Sequence, residues 1–276
     1  MKRTAYAKLN LFLSVTGTRP DGYHNIDSVM QQVTLSDTVT LEQADTVTLT
    51  VTDPRLPTDR KNLAFRAAEA FFIATGISGG VAIHLEKQIP MEAGLAGGSA
   101  DAAAVLVGLN QLYNAGLSTE ALCEIGGKLG ADIPFCICGG TARTQGIGEL
   151  LSPCTPLPPC TVLIAIGAVG VSTKEAYALV DQAPVPPRSA TQMLAALDTG
   201  SLTAVRDAAY NVFSAVAPAC VEPLRQRMLA LGADLAMMSG TGSSVFGCFA
   251  SSVNAQAARD ALLAEGFRVF LCEPIR

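Results

Sequence analysis

The sequence predicts an α+β protein of two domains, with helices packed on mainly antiparallel sheets. Three observations predict this. Runs that alternate apolar and polar residues, or that are rich in Val and Thr, occur in both halves and read as strands. Between them lie segments whose apolar residues recur three and four apart, the mark of amphipathic helices. A shift to proline and small residues at "LLSPCTPLPPC" divides the 276 residues near position 150, so the expected domains are 1–150 and 151–276.

The elements follow in order. "TAYAKLNLFLSVTG" alternates around Leu9, Leu11 and Leu13 and reads as a strand. "RPDGYHN" carries Pro-Asp-Gly and reads as a tight turn. "SVMQQVTLSDTVTLEQADTVTLTVT" has period two and reads as two or three antiparallel strands. "DPRLPTDRKN" is a loop. "NLAFRAAEAFFIAT" places Leu63, Phe65, Ala67, Ala70, Phe71 and Ile73 in a helix capped by Asn62. "GVAIHLEKQIP" is a strand ending at Pro90. After a glycine-rich segment comes a helix with Ser99 as N-cap and Asp101 in its first turn. "STEALCEIGGKLG" is a helix capped by Ser118. "ADIPFCICGGTARTQGIGE" reads as loop, short strand, Gly-Gly turn and strand.

Beyond the proline run, "TVLIAIGA" is a buried strand. "STKEAYALV" begins a helix with Ser172 or Thr173 as cap. "SATQMLAALDTG", "LTAVRDAAYNVF" and "CVEPLRQRMLALGA" are further helices. "LAMMSGTGSSVFGCFAS" is strand, glycine-rich turn and strand. "NAQAARDALLAEG" is a helix and "FRVFLCEPIR" a last strand.

Composition excludes several classes. The formal net charge is −5, charged residues make up 16%, and Lys and Arg are scattered, so no nucleic-acid partner is expected. No run approaches the ~20 apolar residues of a membrane span. The basic start "MKRTAYAKLNLFLSV" is interrupted by Lys8 and Asn10 and lacks a small-residue cleavage site, which argues against a secretory signal. A cytoplasmic location is expected. The eight cysteines form no C-x-x-C pair and only His24 and His84 could join them, so no zinc site is expected; most should be buried thiols.

The segment "IPMEAGLAGGSADAAAVLVGLNQLY" places glycines directly before a helix. Glycines let backbone N–H groups approach a ligand, and a helix N-terminus adds partial positive charge, which together suit phosphate. A plain strand-to-helix turn would use the same residues. The loop is not a Walker A sequence, because "IGGKLG" lacks the upstream Gly and the following Ser/Thr. Nor are there H-R-D or D-F-G motifs, and "GLAGGS" does not have dinucleotide-fingerprint spacing.

"PMEAGLAGGSADAA" resembles the P-x-x-x-G-L-x-x-S-x-A signature of the GHMP small-molecule kinases, which include galactokinase and the homoserine, mevalonate and phosphomevalonate kinases. "AYAKLNLFLSVTGTRPDGYHNIDSVMQQVTLSDTV" and "MMSGTGSSVFGCF" resemble the N-terminal and C-terminal motifs of the same family, in family order and bracketing nearly the whole chain. "DGYH" and "LGADIPF" are closest to members whose substrate carries a cytidine diphosphate group. The signature departs at Ala96, where many members have Gly, and at "MEA" between Pro90 and Gly94, where small residues are common.

The resemblance implies a two-domain kinase with its active site in the cleft between the domains, and ATP and Mg²⁺ as cofactors. ATP phosphates would rest on Pro90, Gly94, Leu95, Ala96, Gly97, Gly98 and Ser99, with Ser99 reaching a phosphate or Mg²⁺. Asp132 matches the catalytic aspartate; taken alone, it would also suit a helix-end cap. Lys8 matches the lysine beside that aspartate, and its place in an apolar strand sets it apart from a solvated lysine. Asn10, two residues on, shares its strand face and would orient substrate or Lys8. Tyr23 and Tyr177 would stack on the cytosine and His24 would hydrogen-bond its edge. The second glycine loop, Gly240, Thr241 and Gly242 with Ser239 and Ser243, would close on the phosphate loop and the substrate; a hairpin turn is its plainer reading. A kinase of another small alcohol, such as homoserine, is the alternative within the family.

Overall fold

The computed structural model describes residues 1–167, 172–182 and 185–276. The chain does not divide at one point. One compact unit is Met1–Ala7, Ser36–Ile89 and Ala96–Gly139; the other is Lys8–Leu35, Pro90–Leu95 and Gly140–Arg276. Position 150 lies inside the second unit, where β5 (Thr141–Gly146) and β6 (Leu150–Pro153) pair antiparallel, Gln145 opposite Leu150. The proline run that suggested a boundary is the loop between β6 and β7 (Thr161–Ile166).

Strands β1 (Lys2–Thr18) and β2 (His24–Ala44) lie side by side and contribute to both units. The Val/Thr-rich run expected as two or three strands is mostly β2. With no Gly or Pro between His24 and Ala44, nothing breaks it. Only β3 (Thr48–Val51) is separate, and it pairs parallel, not antiparallel, with β4 (Gly80–Glu86).

In the first unit the end of β2 pairs antiparallel with β4, Val39 opposite Leu85. Helix α1 (Leu63–Thr75) starts where Asn62 Oδ1 accepts from Ala64 N–H, as its sequence signalled. It packs on α2 (Gly97–Leu112), which packs in turn on α4 (Ile133–Cys138). Helix α3 (Thr119–Gly127) is capped by Ser118 as expected. The "IPFCIC" segment is helix α4, not a strand: Pro134 lies at its start, where a missing N–H costs nothing and its fixed φ favours the helix.

In the second unit the start of β2 pairs with β5, and β1 pairs parallel with a two-residue strand, β8 (Tyr210–Asn211). A separate antiparallel sheet has the order β11 (Arg268–Cys272), β7, β10 (Ser244–Phe249), β9 (Leu235–Met238). The remaining helices of this unit are α5 (Thr173–Gln182), α6 (Thr191–Asp198), α7 (Leu202–Ala208), α8 (Val221–Ala230) and α9 (Ser252–Ala264). The stretch read as one helix, "LTAVRDAAYNVF", ends as α7 at Ala208 and continues into β8 and a 3₁₀ turn, Val212–Val216. Leu163, Val245, Phe249, Leu224, Met228 and Leu262 fill the core between the sheet and its helices.

Candidate active site

In the second unit, β1 carries Lys8 and Asn10 on one face, and both are buried. Lys8 Nζ donates to Asn10 Oδ1 at 2.7 Å, Asn10 Nδ2 donates to Ser28 Oγ at 2.9 Å, and Ser28 donates to the Phe12 carbonyl at 2.6 Å. This relay fixes the amide and, through it, the ammonium. It also links β1 to β2, so the alternation that buries Leu9 and Leu11 on one face sets Lys8 and Asn10 on the other.

The glycine-rich segment Pro90–Leu95 is tied to the same unit. Lys8 N–H donates to the Leu95 carbonyl at 3.1 Å. The segment 239–243, between β9 and β10, grips it from another side. Ser239 Oγ donates to the Gly94 carbonyl at 3.0 Å, and Ser244 Oγ to the Ala93 carbonyl at 2.5 Å. The backbones meet so closely that a Cβ on Gly94 would stand 2.1 Å from the Ser239 carbonyl oxygen. Gly94 (φ 73), Gly240 (φ 56) and Gly242 (φ 87) occupy backbone conformations that other residues rarely adopt. The second loop is therefore a hairpin connection and also a partner of the first. Asn211 holds it in place, donating to the Met238 and Gly240 carbonyls at 2.9 and 2.8 Å. That role was not read from the sequence, which put Asn211 inside a helix.

Tyr23 is exposed at the turn. His24 stacks on Tyr177, with ring centroids 4.7 Å apart, and Tyr177 meets Phe213 edge-on at 4.8 Å. His24 Nε2 is 2.8 Å from Asp181 Oδ1. His24 and Tyr177 thus come together, but the ring facing Tyr177 is His24 itself. Asp181 escaped the sequence reading; it lies four residues after Tyr177 on α5, hence on the same helix face.

In the first unit, α2 starts three residues earlier than expected. Its N-cap is Ala96, in left-handed conformation (φ 57, ψ 31), and not Ser99. No side chain caps this end, and Asp101 lies past the first turn. Ser99 Oγ faces the Gly130 backbone, 4.0 Å from where a Cβ there would be. Asp132 takes the N-cap position of α4, without a side-chain capping hydrogen bond there.

Beside α2 lies a buried ion cluster. Lys87 Nζ donates to Asp37 Oδ2 and, at 2.5 Å, to Asp101 Oδ2. Asp37 Oδ1 accepts from the N–H groups of Gln88 and Ile89. Burial pushes the Asp101 carboxyl up to about 7 against the opposing pull of Lys87. Burial alone would lower Lys87, but Asp101 and Asp37 outweigh it and hold its pKa above the ordinary value. Among the described residues, Asp101 Oδ1 is one of two buried side-chain oxygens or nitrogens without a hydrogen-bond partner. The cluster fastens Gln88–Ile89, just before the glycine-rich segment, to the helix just after it.

Comparison with known proteins places these features. Residues 62–140 match the model of the GHMP kinases N terminal domain, and residues 193–268 that of the GHMP kinases C terminal region. The 4-diphosphocytidyl-2-C-methyl-D-erythritol kinase of Gloeobacter violaceus is 41% identical, over 98% of this chain and 92% of its own. The chain belongs to the GHMP kinases. The enzyme of the same name from Caldicellulosiruptor bescii is 40% identical over 100% of this chain and 96% of its own. A crystal structure of 4-(cytidine 5'-diphospho)-2C-methyl-D-erythritol kinase superposes with a TM-score of 0.79 at 36% identity, covering 99% of both chains. GHMP kinases are ATP-dependent kinases. Ala96 holds a glycine-like, left-handed conformation at a cost of about 1–2 kcal/mol. Among the described residues no group of three or more His, Cys, Asp or Glu could hold a metal ion, and no helix is long and apolar enough to cross a membrane.

Proposed function

We propose that this chain transfers the γ-phosphoryl group of ATP to the 2-hydroxyl of 4-diphosphocytidyl-2-C-methyl-D-erythritol, a step of the non-mevalonate isoprenoid precursor pathway. The observation that carries this reading is the near-full-length identity of about 40% to kinases of that name. The geometry supports the division of labour. An alcohol is a poor nucleophile, so a carboxylate must take its proton as the phosphoryl group leaves ATP. Asp132, at the start of α4, takes that role. Lys8, oriented by Asn10, polarises the attacking oxygen. The backbone of Gly94–Ser99 receives the phosphates, and the segment 239–243 keeps that backbone in shape. His24, Tyr177 and Tyr23 recognise the cytosine, with Asp181 fixing the orientation of His24.

Mg²⁺, when bound with the nucleotide, would supply charge neutralisation at phosphate oxygens. Among the described residues no group of three or more His, Cys, Asp or Glu could hold it, which suits an ion shared with the substrate. Ser99 is the residue that would hold it, with its hydroxyl beside the backbone leading to Asp132. The chain is read as a cytoplasmic enzyme acting on a small molecule.

The test is ADP release by the purified chain with Mg·ATP, with and without the cytidyl compound, and with homoserine and mevalonate in parallel. Release only with the cytidyl compound is expected. Release with homoserine in its place would keep the phosphate loop and discard the cytosine site.

A further inference from the structure

The cysteines are not mainly buried, contrary to expectation. Only Cys248 and Cys272 are; Cys138 is exposed and the other five are half-buried. Two of them face each other in the first unit. Cys123, on α3, and Cys138, the last residue of α4, have their sulfurs 3.7 Å apart and share a hydrogen bond. Cys123 Sγ also lies 3.8 Å from the Pro134 carbonyl. The two helices are pressed together at this point. A Cβ on Gly126 would stand 2.5 Å from Ile133, and one on Gly127 3.6 Å from Pro134. Such packing holds the two thiols opposite each other, and the exposure of Cys138 opens the pair to solutes.

We propose that Cys123 and Cys138 form a modification site, a dithiol that a peroxide oxidises to an intramolecular disulfide. The Cys138 thiolate attacks one peroxide oxygen; the O–O bond breaks, hydroxide leaves, and Cys138 becomes a sulfenic acid. The Cys123 sulfur then attacks the Cys138 sulfur and forms the S–S bond. The departing hydroxide carries off the Cys123 proton as water. Two thiols and one peroxide give one disulfide and two waters, with sulfur oxidised and peroxide oxygen reduced.

The electrostatics assign the order of events. With Cys123 as hydrogen-bond donor, the Cys138 thiol is brought down to about 7, while the same bond and burial push Cys123 up. Glu120, on α3, opposes both thiolates through its charge. A thiol of pKa about 7 is half ionised at neutral pH, and its lower intrinsic nucleophilicity offsets part of that gain. The net advantage over an ordinary thiol is roughly three- to fourfold. Cys138 therefore attacks first and Cys123 resolves.

The experiment uses the full reduced chain and hydrogen peroxide, followed by alkylation, digestion and peptide mass mapping with and without dithiothreitol. The expected product joins the peptides of Cys123 and Cys138, is lighter by two hydrogens, and separates on reduction. Before oxidation, Cys138 should alkylate about three- to fourfold faster than an ordinary exposed thiol at about pH 7. In Cys123→Ser, Cys138 should stop at a sulfenic acid that dimedone traps. Oxidation of Cys138 directly to sulfinate in the wild type would overturn the proposal. So would a disulfide from Cys138 to any other cysteine.

Discussion

Lys8 and Lys87 both carry buried side chains, one in each unit, and each ties together a different part of the chain. Lys87 stands between the carboxylates of Asp37 and Asp101. Lys8 donates to the amide of Asn10, which is fixed in turn by the hydroxyl of Ser28. Two carboxylates hold the Lys87 ammonium, and Asp37 also pins the backbone of Gln88 and Ile89. The amide of Asn10 orients the Lys8 ammonium, in keeping with the role proposed above for Lys8 at the attacking oxygen.

The largest expected effect separates the two directly. Lys8→Met should lower turnover by about 10²–10³-fold or more, the range seen when one preorganised donor to a developing charge is removed. Stability should fall by about 1–3 kcal/mol, the cost of leaving the buried Asn10 Oδ1 without its donor. Turnover by ADP release and a urea midpoint on the same preparation check both halves. A large stability loss with turnover preserved would make Lys8 the structural lysine and end the comparison.

Lys87→Met should do the opposite. It leaves two buried carboxylates without their cation, which costs about 3–5 kcal/mol. The loss should be greater at pH 8 than at pH 5. Burial already raises the Asp101 carboxyl, and removing Lys87 takes away the charge that opposes that rise. The folded variant then holds protons that the unfolded chain has released, so its stability falls as pH rises through the raised pKa. Urea unfolding at the two pH values measures it; a loss equal at both would mean the carboxylates are not what Lys87 serves.

These two clusters also show how far the sequence could be read. Lys8 and Asn10 were visible because an apolar alternation was interrupted by two polar residues on one face. Asn62 and Ser118 were visible because capping is local. The Lys87 cluster was not, although Asp37 within a Val/Thr-rich strand was its one signal. Its contacts span 50 and 14 positions, and no periodicity records which distant side chains meet. The same holds for Ser239 and Gly94, 145 positions apart. The stacking aromatics came from resemblance, and the His24–Tyr177 contact from the fold. The start of α2 was misjudged because Ser99 looks like a cap, whereas the helix begins at a left-handed alanine that no capping rule favours.

That alanine sharpens the comparison at its smallest scale. Ala96 lies where the chain leaves the segment held in the second unit and enters the helix that carries Asp101. Its left-handed conformation costs about 1–2 kcal/mol, which glycine would avoid. Glycine would also make the unfolded chain more flexible, giving back about 0.4–1 kcal/mol. Ala96→Gly should therefore stabilise the protein by up to about 1.6 kcal/mol, a rise in thermal midpoint of at most about 6 °C for a chain of this size. Turnover should be unchanged, because the backbone already has the conformation that glycine prefers. If the variant is instead less stable, the Cβ of Ala96 contributes packing that outweighs its strain. If it is more stable but slower, the strain at this junction serves catalysis, and the division between holding lysine and acting lysine would no longer be clean.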